Sequence, residues 1–162
     1  DSDHVSEIVG ELGANLGGGW STRAIIQYDP SASTMERASY SIRYRPQASR
    51  FVMNASYRRR RAITDVEQTD ISFRAPISNS ISLLGRWNYS LENNRTLELV
   101  GGLEVDSCCW GLRLVGRRFI ADTEGTFDTG IFMQFEFKGL AGYGRGLGSF
   151  LRKSIPGYET YF

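Results

Sequence analysis

The chain has 162 residues, 41% of them hydrophobic, and a formal net charge of +1. That is one domain's worth of chain, and a charge so near zero argues against a nucleic-acid binder. No run of about 18 apolar residues occurs, which excludes a transmembrane helix. The chain opens on Asp1-Ser2-Asp3-His4, with neither an initiator Met nor a signal peptide, as a mature form or a fragment of a longer protein would.

One pattern recurs in chain order. About ten residues alternate apolar and polar, and then Gly, Pro, Asn, Asp or Ser interrupt them. This is the pattern of strands joined by turns. Nine segments are predicted: Val5–Leu16, Trp20–Tyr28, Glu36–Arg45, Phe51–Arg60, Asp65–Ala75, Ser80–Leu91, Arg95–Asp106, Cys108–Ile120 and Phe127–Gly142. The tail that follows, Gly144–Phe162, is glycine-rich and reads as irregular. "GYGRGLG" within it lacks the Lys-Ser/Thr of a phosphate loop.

The two faces of each segment differ. In the third, Ala38, Tyr40, Ile42 and Tyr44 oppose Ser39, Ser41, Arg43 and Arg45. In the sixth, Ile81, Leu83, Trp87 and Tyr89 oppose Ser82, Leu84, Arg86 and Asn88. In the eighth, Trp110, Leu112 and Leu114 oppose Arg113, Val115 and Arg117. In the ninth, Ile131, Met133, Phe135 and Phe137 oppose Phe132, Gln134, Glu136 and Lys138. A soluble lipocalin-like barrel or a membrane barrel turned inside out would each show this alternation.

Three details favour the membrane. The segments approach the 9–11 residues of a tilted transmembrane strand, whereas globular strands average five or six. Trp and Tyr recur near segment ends, as interfacial girdles do. Short turns also alternate with longer polar ones, Asp29–Met35, Arg59–Asp65 and Ala121–Thr126, with Glu92-Asn93-Asn94 a short exception on the long-loop side. The predicted fold is therefore all-β, an antiparallel transmembrane β-barrel segment of about nine strands. Arg43, Arg86, Arg113, Arg117 and Glu136 are expected to face a lumen. On this reading Leu112→Arg or Phe135→Arg cripples assembly, because a midplane cation costs about 2–4 kcal/mol, while Arg113→Gln is tolerated. Nine strands cannot close an all-antiparallel sheet, so either the count is off by one or the segment is part of a larger barrel.

The two cysteines, Cys108 and Cys109, are adjacent. Neighbouring Cα atoms lie about 3.8 Å apart, against roughly 4.4–6.8 Å for a relaxed disulfide. Zinc would need four ligands, and the only histidine, His4, is remote in sequence. Two readings stay open: inert buried thiols, or pairing with cysteines elsewhere. Glu104 and Asp106 share a face but have no His or third acid near them in sequence, so no catalytic residues, metal site or cofactor are predicted. Arg58-Arg59-Arg60-Arg61 is the one basic run, either solvated or able to meet phosphates.

"GGLEVDSCCWGLRLVGRRF" (Gly101–Phe119) and "DTGIFMQFEFKGL" (Asp128–Leu140) resemble the C-terminal end of the LptD family of LPS-assembly proteins. "WSTRAIIQYDP" and "RASYSIRYRP" fit upstream strands of the same family, so the resemblance covers nearly the whole chain. Val105 departs from it, standing where an aromatic is expected.

The resemblance implies residues 1–143 as outer-membrane barrel strands and residues 144–162 as a periplasmic tail. It implies a barrel that delivers lipopolysaccharide to the outer leaflet of a Gram-negative outer membrane through a lateral gate, without catalysis. A passive diffusion barrel is the alternative, and a soluble small-molecule binder a further one. Cys108 and Cys109 would bond to cysteines near an N-terminal periplasmic domain absent from this chain. Ile131, Met133, Phe135 and Phe137 would line one side of the gate, and Gly130, Met133 and Phe135 match the spacing of a signal read by the barrel-assembly (BAM) machinery. The implied partners are an LptE-type lipoprotein plug, lipopolysaccharide, periplasmic bridge proteins, BAM and outer-membrane lipid.

Overall fold

The computed structural model describes residues 7–30, 34–61, 65–121, 126–138, 141–143 and 147–159. His4, the start of the first predicted strand at Val5 and residues 31–33, 62–64 and 122–125 of the three longer predicted loops lie outside them. The elements are β1 (Ile8–Gly17), β2 (Trp20–Asp29), β3 (Thr34–Tyr44), β4 (Val52–Arg60), β5 (Val66–Pro76), β6 (Ile81–Ser90), β7 (Arg95–Asp106), β8 (Trp110–Ile120), β9 (Phe127–Phe137), β10 (Ala141–Tyr143) and α1 (Leu147–Ser154). Each strand pairs antiparallel with its neighbours in sequence, giving one meander in the order β1 to β10. The sheet is not closed, for β1 and the β9–β10 hairpin end it on opposite sides.

The nine predicted segments correspond to β1–β9, which run from 9 to 12 residues. The ninth is shorter than predicted. It stops at Phe137, and Ala141, Gly142 and Tyr143 pair back on Phe137, Glu136 and Phe135. Lys138 fixes the reversal, because its N–H donates to the Cys109 carbonyl at 2.9 Å and its Nζ reaches the Ser107 carbonyl and Asp106. The first hairpin needs glycine outright: Gly17, Gly18 and Gly19 all have positive φ, and a Cβ on Gly19 would lie 2.4 Å from the Arg45 carbonyl oxygen.

The outer face is apolar and uncovered, with Leu12, Ile42, Leu99, Leu114, Ile131 and Met133 exposed on one strand after another. Water does not favour so large an apolar surface, whereas lipid does. Aromatic side chains band it at both ends. Trp20 lies 4.5 Å from Tyr44, and Trp110 stacks 5.9 Å from Phe135, at the end that carries the short turns. Tyr40 with Tyr57, and Trp87 with Tyr89, mark the other end. The inner face carries Arg43, Arg74, Arg86, Arg113 and Arg117, and the helix α1 packs on it.

Candidate functional site

Strand register turns scattered inner-face residues into rungs. Leu84, Gly102, Val115 and Phe132 form one apolar rung across β6–β9. On one side of it lie Ser82, Glu104, Arg113 and Gln134, and on the other Arg86, Val100, Arg117 and Gly130. Gly102 keeps the rung flat, since a Cβ there would stand 2.8 Å from the Leu114 carbonyl oxygen.

The tail, predicted to be irregular, folds onto this rung. Leu147, Leu151 and Ile155 recur every fourth residue on one side of α1 and are buried with Leu84, Val100 and Val115. Phe150 packs 6.4 Å from Phe132 and lies under the Arg117 guanidinium. Eight residues containing Gly148 and Ser149 are too short to hold a helix alone. The helix exists because its apolar side has this rung to cover, and Arg152 and Lys153 suit its negative C-terminal end. Pro156 and Gly157, the latter at φ 87°, then turn the chain. The Pro156 carbonyl accepts from Asn54 Nδ2 at 2.9 Å.

Charge is matched around the docked tail. Glu104 accepts from Arg74, from Arg113 Nε at 2.9 Å and from the Tyr158 hydroxyl. Arg113 Nε also donates to the Tyr158 oxygen at 2.7 Å. Arg74, Arg113 and Glu104 are 1%, 1% and 2% exposed. Burial, and then the charge of Glu104, push the Tyr158 phenol up, so it stays protonated as a donor. Deeper along the strands Arg86 bonds Asp70 and Glu98, each at 2.8 Å, and Arg117 also meets Glu98.

Arg113 lies on the inner face and is buried beneath the tail rather than solvated, so its replacement by glutamine would leave Glu104 with fewer partners. The carboxylates first weighed as a catalytic pair are both committed to ion pairs: Glu104 as described, and Asp106 to Lys138 and Arg50. Arg43 points to Asn54, with Nε 3.0 Å from Oδ1. Glu136 occupies the inner face of β9, opposite Gly111. Arg74 and Tyr158 were not singled out from sequence.

Cys108 and Cys109 occupy the β7–β8 turn, free and exposed, which removes the reading as inert buried thiols. Their sulfurs share a hydrogen bond at 2.8 Å. The bond from Cys109, then that from Ser107, lower the Cys108 thiol below its usual range, and Lys138 adds to this. The Cys109 thiol is raised by the same bond and by the Cys108 charge. A lowered thiol ionises at lower pH, so Cys108 is the better nucleophile near neutrality. Brief iodoacetamide treatment of the reduced chain at pH 7, read by peptide mass, is expected to label Cys108 before Cys109. Equal labelling would contradict the assignment.

Ile131, Met133, Phe135 and Phe137 all lie on the outer face of β9, and Gly130 on its inner face beside the Phe132 ring. Among the described residues no group of His, Cys, Asp and Glu could hold a metal ion.

A family model described as LPS transport system D, LptD, matches residues 1–90, more than half the chain. The chain belongs to the LptD family. Curated relatives agree along its whole length. The LPS-assembly protein LptD of Nitrosococcus oceani is 37% identical over 162 residues, all of this chain and 22% of that protein. Those of Alkalilimnicola ehrlichii and Xylella fastidiosa are each 38% identical, over 95% and 93% of this chain and 20% and 19% of theirs. The chain thus spans about a fifth of the length of these relatives. LptD membership places it in the outer membrane of a Gram-negative bacterium, in keeping with its apolar outer face.

Proposed function

We propose that this chain supplies the last strands of an outer-membrane barrel that inserts lipopolysaccharide into the outer leaflet, with β9 as one side of a lateral gate. The observation that carries this reading is the state of β9. Beyond β8, its residues 135–137 are paired by β10, while residues 127–134 have no strand partner on that side among the described residues. Because β10 already takes residues 135–137, a strand meeting β9 on that side can pair only with residues 127–134, and a seam that short parts at lower cost than the full β8–β9 ladder. Its outer side chains, Ile131, Met133 and Phe135, suit a lipid passing along it. The work is transport and needs no catalytic residue.

In the full-length protein a disulfide engineered between Ile131 and the strand opposite it should stop delivery of newly made lipopolysaccharide to the cell surface, and reductant should restore it. Delivery at the unlocked rate would end the gate reading.

Cys108 and Cys109 would join an N-terminal periplasmic region in that protein, with an LptE-type plug in the lumen, bridge proteins below and BAM reading Gly130, Met133 and Phe135 during assembly. Their exposure at the end of the sheet with the short turns supports this. Either single serine variant is expected to export, and the double variant Cys108→Ser/Cys109→Ser to fail. Normal export by the double variant would refute the pairing.

A further inference from the structure

The inner face divides into two electrostatic halves. On β5–β8 every arginine discussed above meets Asp70, Glu98 or Glu104. On β3 and β4 the inward positions include Arg37, Arg43, Arg58 and Arg60, and no carboxylate. Among the described residues Arg43 meets the Asn54 amide oxygen and no carboxylate. Arg37 and Arg60 stand directly opposite each other in the ladder, a placement that like charges make unfavourable. Arg58 has no hydrogen-bond or ion-pair partner among the described residues. Half of the basic run that the sequence left without a role, Arg58 and Arg60, thus sits on a wall with no carboxylate partner among the described residues.

Across from that wall is the tail. Arg58 and Lys153 of α1 line one cavity of about 210 Å³ between β4–β6 and the helix. Lys153 is likewise without a partner among the described residues. Ser56, Gln68 and Asn88 supply neutral polar groups to the same cavity, while its one carboxylate, Asp70, is bonded to Arg86. The Asn88 side-chain oxygen is buried and accepts no hydrogen bond among the described residues.

A ligand that satisfies these groups brings an anion for the two cations and an O–H or N–H to donate to Asn88. An acidic protein side chain brings the first and not the second. A sugar carrying a phosphate or carboxylate brings both. The volume is below the roughly 300–1,000 Å³ of sites for drug-sized ligands, which suits a single sugar unit.

We propose that the cradle between β4 and α1 binds anionic sugar units of the exported lipid's saccharide. Arg58 and Lys153 hold the anion, and Asn88 accepts from a hydroxyl. Arg37 and Arg60 continue the positive surface toward the end of the sheet away from the cysteine turn. Only the origin of the sugar rests on the export reading.

The test uses the full-length protein in detergent, with acetylation of Lys153 followed by peptide mass. Glucosamine 6-phosphate and glucuronate are each expected to slow Lys153 acetylation severalfold relative to glucosamine, and Arg58→Gln, which breaks no hydrogen bond or ion pair among the described residues, to remove that protection. Asn88→Leu should reduce glucosamine 6-phosphate to the effect of inorganic phosphate. Protection by inorganic phosphate equal to that by the sugar phosphate in the unaltered protein would overturn the sugar assignment. Protection by poly-glutamate equal to that by the sugar phosphate would mean an acidic protein partner and overturn the proposal, as would full protection in Arg58→Gln. Export is measured separately: its absence would refute the transport reading and leave the sugar-binding result standing.

Discussion

Glu104→Ala is expected to be the most damaging single change on the inner face. Glu104 is 2% exposed and is shared by Arg74 and Arg113, themselves 1% exposed. Removing it takes the carboxylate from two guanidinium groups that lie away from water, a change that costs about 3–5 kcal/mol when a buried pair is broken. Tyr158→Phe removes one hydroxyl and keeps the ring beneath both guanidiniums, so its cost should stay near the roughly 1.5–3 kcal/mol of a hydrogen bond to a charged group. Denaturant unfolding of the two full-length variants, followed by heat-modifiable gel mobility, gives the comparison. A smaller loss for Glu104→Ala than for Tyr158→Phe would show that the cluster is not held by its carboxylate.

The second large effect lies on the lipid side, and its position matters. Leu114 pairs with Leu103 and Met133 well inside the sheet, between the two aromatic bands, and is 44% exposed. Leu114→Arg should cost about 2–4 kcal/mol, the value for a cation at the bilayer midplane. Leu112 pairs with Phe135, which stacks on Trp110 in the band at the short-turn end. There the penalty falls to about 0–1 kcal/mol. Leu112→Arg and Phe135→Arg are therefore expected to assemble better than Leu114→Arg, where alternation alone predicts failure for both. Yield of folded protein in the outer membrane ranks the three, and a normal yield of Leu114→Arg would mean that this face does not meet lipid.

The strands were legible because each carries its own signal. Alternation needs no partner to be seen, so Arg113 and Leu114 could be assigned to opposite faces from the eighth segment alone. The family resemblance was carried by linear stretches, Gly101–Phe119 with its Cys108-Cys109-Trp110 run among them, and needed no fold to be seen. The tail site was not legible, for two physical reasons. Its helix is too short for periodicity to declare it, with Leu147, Leu151 and Ile155 as its only repeat. Its binding surface is assembled one residue per strand, from Leu84, Val115 and Phe132, and becomes a patch only when register is known. Apolar residues on a face otherwise rich in arginine were the available signal. The early end of β9 was hidden in the same way, because Lys138 turns the chain through contacts with Ser107 and Cys109, some thirty residues earlier.

The tail's partners also set an order of events in time. Neighbouring strands of the meander can zip hairpin by hairpin, each step closing a short loop. Docking of the tail closes far longer ones: 54 residues for Tyr158 on Glu104, 102 for Pro156 on Asn54 and 114 for Glu159 on Arg45. Such contacts form slowly and late, and they need β3, β4, β5, β7 and β8 already in register. A strand that slips by one residue turns its inner face outward and leaves the tail nowhere to seat. Docking is therefore expected to be the final kinetic phase of assembly, and one that only a correctly registered sheet completes.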